Sequence, residues 1–162
     1  MEIVIQLLKH KRKTFIPVVN LQNTNYKNYI SSKFGGKPFI SNEFPWPLCE
    51  CGCQKPMKFF LQLNSNQLVL GNENFFGDGL LQLFYCTNDD KYKPFSISHC
   101  VRIIKTSDLD EACAPISDSQ VCAEEFESKI IIDWKEEFDY PSDREWSDLG
   151  LDEVESENIG RI

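Results

Sequence analysis

The sequence predicts a mainly β chain of the α+β class, with at least five strands and a few short helices. Three observations carry this expectation. Five segments are rich in β-branched and aromatic residues, the composition that suits a pleated, half-buried surface. Clusters of Gly, Pro, Asn and Asp separate them, and these residues favour turns. Helix signals are few: apolar spacing over residues 3–13 and a capping signature within residues 139–150.

Residues 3–13 place Ile3, Val4, Leu7 and Leu8 at helical spacing, with Lys9, Lys11, Arg12 and Lys13 in the last turns, where cations suit the helix dipole. Residues 14–20 read as a strand. Pro17 has no N–H to give a ladder, which assigns that strand to an edge or a bulge. Residues 20–28 are polar and loop-like. Ser32 opens the run SKFGGKP, in which Gly35 and Gly36 permit positive φ or close backbone approach. Phe44-Pro45-Trp46-Pro47 is stiff and extended, because a residue before proline avoids helix. Trp46 can plug against a sheet.

Residues 58–63 (KFFLQL) and 80–86 (LLQLFYC) are nearly continuous apolar runs, which predicts strands buried on both faces. Residues 64–68 read as a capped turn, and 72–79 (NENFFGDG) as a loop. Residues 87–94 are a polar hairpin or longer connection, 99–105 (HCVRIIK) and 128–134 (SKIIIDW) two more strands, and 112–118 irregular. Tyr140-Pro141-Ser142-Asp143 starts a helix, with Ser142 as cap and Glu145 three residues on. One domain over residues 1–150 with a frayed acidic tail over 151–162 accounts for the whole chain.

The 162 residues carry a net charge of −8. Phosphate contacts come from Lys and Arg, so a generic nucleic-acid binder would have the opposite sign. Acidity favours solubility or a basic protein partner. No apolar stretch reaches the roughly 18 residues of a membrane span, and residues 3–8 lack the cleavage site of a signal peptide. The seven cysteines are therefore read as cytoplasmic thiols or metal ligands.

Cys49, Cys51 and Cys53 fall within five residues. Zinc knuckles space their paired ligands by two to four residues, which Cys49 with Cys53 satisfies and either C-x-C pair does not. Cys86, at the end of one strand, and His99 or Cys100, at the start of the next, are the distant candidates for a structural Zn2+ site. The competing reading is three idle thiols on a loop, with Cys86 and Cys100 packed as small apolar residues. Cys113 and Cys122 are read as idle thiols.

No catalytic residue is assigned. A Cys–His pair needs an imidazole near the thiol, and only His10 and His99 exist. His99 adjoins Cys100, but neighbours on a strand point to opposite faces. No nucleophile elbow, phosphate loop or dinucleotide fingerprint is present. Glu43, Glu50 and Asp78 read as solvated carboxylates.

The ordered set SKFGGKP, FPWP, the cysteine cluster running into Pro56-Met57, FFLQL, GLLQLFYC and the segment from Pro94-Phe95-Ser96 to Val101-Arg102-Ile103-Ile104 resembles the YwqG-like family, a bacterial domain of unknown function. A remoter resemblance is to the programmed-cell-death-protein-two group, dedicated chaperones of a basic ribosomal protein. The resemblance implies twisted antiparallel sheets that hold an extended client segment, and no catalytic residues. The family's cysteine element is usually a two-residue-spaced pair; here its first member is shifted to Cys49 or Cys51. Relatives also carry a second, similar half, so the resemblance implies a short member, a fragment or one half of a duplicated architecture, as monomer or homodimer.

The expected function is thus a non-enzymatic protein-binding module with a chaperone- or escort-like role toward a basic client. Phe34, Gly35, Gly36 and Trp46 are the expected partner surface. Two alternatives are an immunity or antitoxin-type protein, and a zinc-dependent hydrolase, which would need an open metal position and a general base.

Overall fold

The β-branched and aromatic runs form six strands in one sheet. The computed structural model describes residues 8–20, 29–50, 53–68, 76–87, 99–109, 126–142 and 145. The strands are β1 (Arg12–Asn20), β2 (Lys33–Phe34), β3 (Lys58–Asn64), β4 (Gly79–Tyr85), β5 (His99–Lys105) and β6 (Lys129–Asp139), in the spatial order β1-β6-β2-β3-β4-β5. The pairs β2–β3, β2–β6, β3–β4 and β4–β5 run antiparallel. The expected mainly β architecture is observed. β1, the strand with Pro17, lies at one end of the order, where sheets tolerate proline.

By proximity the chain divides into two units, Met1–Ile16 with Lys135–Ile162, and Pro17–Trp134. In the first unit the helix expected over 3–13 is interrupted: only Leu8 and Lys9 are helical among the residues described there, and Arg12 and Lys13 belong to β1. Cross-strand charge accounts for the change. Arg12 donates to Asp139 at 3.0 Å and to Glu145 at 2.8 Å, and Lys13 pairs with Glu136 at 3.0 Å. The expected cap at Ser142 is present in part: the Glu145 carboxylate accepts from the Ser142 N–H at 2.8 Å and from its hydroxyl at 2.9 Å.

In the second unit β3, β4 and β5 form a meander. Its register aligns Leu61–Leu83–Val101, Gln62–Gln82–Arg102 and Leu63–Leu81–Ile103. Side chains alternate between faces along each strand. One face carries Phe59, Gln62, Asn64, Leu80, Gln82, Phe84 and Ile104, all buried, and described residues of 31–50 and 53–57 cover it. The other face is open. Phe60 is 39% exposed, Val101 56% and Ile103 48%, while Leu61, Leu63, Leu81 and Leu83 are half-buried. The expectation of burial on both faces is corrected: the second face has no covering layer among the described residues.

Gly35 and Gly36 justify their place in SKFGGKP. Their φ values are +59° and +67°, and a Cβ at Gly35 would stand 2.6 Å from the Glu127 carbonyl oxygen. Their N–H groups donate to Phe60 O at 2.9 Å and Phe126 O at 2.8 Å. The first bond lands at the register shift between Phe59 and Leu61, tying the turn to the bulge in β3. Asn64 caps the 3-10 turn at Ser65–Gln67, as expected for that segment.

Candidate metal centre

Proline and backbone pairing shape the loop that presents the thiols. Pro45 and Pro47 hold Trp46 extended. Leu48 bridges Pro56 antiparallel, Cys49 N–H donates to Lys55 O at 2.9 Å, and Met57 N–H donates to Pro47 O at 3.0 Å. The result is a small hairpin, with Gln54 at φ 50° near its tip. Trp46 anchors it: its indole N–H donates to Met57 O at 2.7 Å, and its ring meets Phe84 edge-on at 5.8 Å. Trp46, Cys49, Met57, Phe59, Phe84, Cys86 and Ile40 form one apolar cluster, with Cys53 and Cys100 packed against it.

The Sγ atoms of Cys49, Cys53 and Cys86 all lie within 4.8 Å of one another, and Cys53 and Cys86 are 3.6 Å apart. A tetrahedral shell with Zn–S bonds of about 2.3 Å sets sulfur–sulfur edges of about 3.8 Å. The three thiols therefore stand at nearly the separation of a zinc shell. Cys49 and Cys86 are buried and Cys53 is half-buried, which suits a closed site more than a water-bearing one.

Of the expected ligands, Cys49, Cys53 and Cys86 are brought together, and Cys51 lies outside the described residues. Cys100 packs against the same cluster without joining the trio. Burial pushes its thiol pKa up, Arg102 opposes that and Glu50 adds to it. His99 stands opposite Tyr85, one position out of phase with the Phe84–Cys100 pair, so it faces the other side of the sheet from the sulfurs.

The expected partner surface does not form one patch. Trp46 is buried beneath the hairpin, Gly35 and Gly36 are packed against residues 126–128, and Phe34, paired with Leu61, lies on the open face. Residues 32–159 match the profile of DUF1963, described as a domain of unknown function. The chain belongs to the DUF1963 family. No curated protein matches it.

The DUF1963 match begins at Ser32, a fully buried residue that ties three elements together. Its N–H donates to Gln67 Oε1 at 2.6 Å, its hydroxyl accepts from Asn64 N–H at 2.8 Å, and its carbonyl accepts from Ile131 N–H at 2.9 Å. Nearby runs a row that sequence reasoning missed. Gln62 Oε1 accepts from Phe39 N–H at 3.0 Å and from Gln82 Nε2 at 2.8 Å. Gln82 Nε2 also donates to Phe39 O at 2.9 Å, and Gln82 Oε1 accepts from Arg102 Nε at 2.7 Å. Arg102 goes on to Pro45 O at 2.6 Å. Burial lowers its pKa to about 10, which leaves it charged at neutral pH. Among the described residues no buried side-chain N or O lacks a hydrogen-bond partner. The available signal was the repeated L-Q-L in two apolar strands: a central glutamine there needs buried partners.

Proposed function

We propose that this DUF1963 domain is a non-enzymatic protein-binding module with an escort-like role toward a basic client, and that its thiol trio holds a structural Zn2+. One observation carries the binding reading: the sheet closes one face into a core and leaves an apolar face and the outer edge of β5 open among the described residues. Such a sheet can accept an extended segment by strand addition. The net charge of −8 steers a basic protein at long range. The YwqG-like resemblance, and the remoter one to chaperones of a basic ribosomal protein, support the escort role. Among the described residues no helix is long and apolar enough to cross a membrane.

Cys49, Cys53 and Cys86 would hold the metal, and Cys51 and Cys100 carry the candidate fourth thiols. A zinc there would pin the hairpin to the end of β4 and would take no part in a reaction. Metal analysis of protein purified without added zinc should give about one Zn2+ per chain and far less in Cys53→Ser, as expected when one thiolate of a closed shell is lost. Equal, near-zero contents in both would end the zinc reading. For the client, affinity capture at low salt should return a basic protein that elutes as salt rises. Capture of acidic proteins alone would end the basic-client reading.

A further inference from the structure

The open face of the second unit carries a specific pattern. Two rows of aliphatic side chains, Leu61–Leu83–Val101 and Leu63–Leu81–Ile103, lie side by side across three strands. Paired side chains on one face stand about 5 Å apart, so the six form a continuous apolar floor. Aromatic rings close one end: Phe60 meets Phe34 at 6.0 Å, Tyr85 at 5.7 Å and Phe126 at 6.2 Å. Contiguous exposed apolar surface of this kind marks an interaction site.

Lysines predominate around the floor, with Asp133 of β6 on the same side of its strand as Lys129. Lys58 pairs with Tyr85, Lys105 with Gly79, and Lys129 with Phe34, so all three share the open face. Lys58 lies over the Phe126 ring at 4.2 Å, and Lys105 and Lys129 are exposed. No carboxylate lies on this face of β2, β3, β4 or β5. A chain of net charge −8 thus places three lysines at the rim of this apolar face.

We infer that this face docks an apolar segment of a protein partner flanked by Asp or Glu. The inference rests on the protein-binding reading and narrows it. The partner's overall charge is a separate matter. Steering depends on the net charge of the approaching molecules, whereas the docked segment meets charges within about 8 Å, the screening length at physiological salt. A basic client is compatible only if the segment it presents here is acid-flanked. A second copy of this chain is the competing occupant.

The test is selection of a phage-displayed random peptide library on the immobilised full chain, with light scattering on the free protein in parallel. Peptides enriched on the wild type should combine Leu, Ile, Val or Phe with flanking Asp or Glu, and Val101→Asp/Ile103→Asp should not retain them. Val101→Thr/Ile103→Thr, which keeps β propensity, should bind a selected peptide about tenfold more weakly, separating lost contact from lost folding. Lys105→Glu/Lys129→Glu should abolish the preference for acidic flanks while leaving the fold intact. Enrichment of Lys- or Arg-flanked peptides, or no enrichment, would overturn the inference. So would a dimer that Val101→Asp/Ile103→Asp dissolves, since the occupant would then be a second copy. Client capture is read separately: a basic client captured without acidic peptide selection sinks only the docking chemistry, and the reverse result sinks only the client.

Discussion

The two faces of the β3–β4–β5 meander are made from the same kind of sequence and have opposite characters. The covered face mixes large apolar side chains with a row of buried polar groups, and each described polar group there has a partner. The open face is almost wholly aliphatic and aromatic, with polar groups only at its rim. Directional bonds on the covered face select one loop in one position. The open face has no such selector, because apolar contact is non-directional, and its specificity falls to the charges around it.

The sharpest way to break this comparison is paired truncation. Phe84→Ala on the covered face should cost about 4 kcal/mol of folding stability, since a fully buried ring leaves a cavity. Val101→Ala on the open face should cost under about 1 kcal/mol, because half of that side chain is already in water. Urea denaturation of both variants checks this, and equal losses would mean that both faces are covered. Next in size is Gln82→Met, which keeps volume and removes the bonds to Phe39 O, Gln62 and Arg102. Stranding those groups should cost about 3 kcal/mol, with the same measurement, and a neutral result would show that the row is dispensable.

The smallest effect concerns an exposed polar contact, for contrast. Arg12 first, then the Ser142 N–H and hydroxyl, hold the Glu145 carboxyl at about 2. A carboxyl depressed in the folded state adds stability that is complete above its unfolded pKa, near 4.3, and is lost as pH falls through about 2. Carboxyl NMR titration should show this, and Arg12→Ala should return the value toward the ordinary range. The accompanying stability change should be small and salt-sensitive, because the pair is solvent-exposed.

Much of the sheet was legible because its strands have strong local signals. The strand over 99–105 is found at those residues, and those expected over 14–20, 58–63 and 80–86 shift by no more than two residues at either end. Pro17 correctly marked an edge. Three features were not legible, each for a non-local reason. β2 is two residues long and exists only because β3 and β6 flank it. β6 runs on through Lys135-Glu136-Glu137, where ion pairs such as Lys13–Glu136 offset weak strand propensity. The run KFFLQL does not reveal that, among the described residues, one face is covered and the other is not, because the covering chain starts nearly 30 residues upstream. For the thiols, spacing nominated Cys49 and Cys53, and the end of a strand nominated Cys86. Side-chain alternation placed His99 on the far side of the sheet.

The clamp on Phe39 has a consequence for how such a chain can vary. Two glutamine amides bind both the N–H and the carbonyl of this single residue, as an adjacent strand would, but at one point only. A ladder fixes the length of everything that pairs with it. A one-residue clamp fixes only where the chain crosses the sheet. Length changes between Phe39 and Pro45, the next point that the sheet holds through Arg102, can therefore be absorbed without shifting the strands beneath.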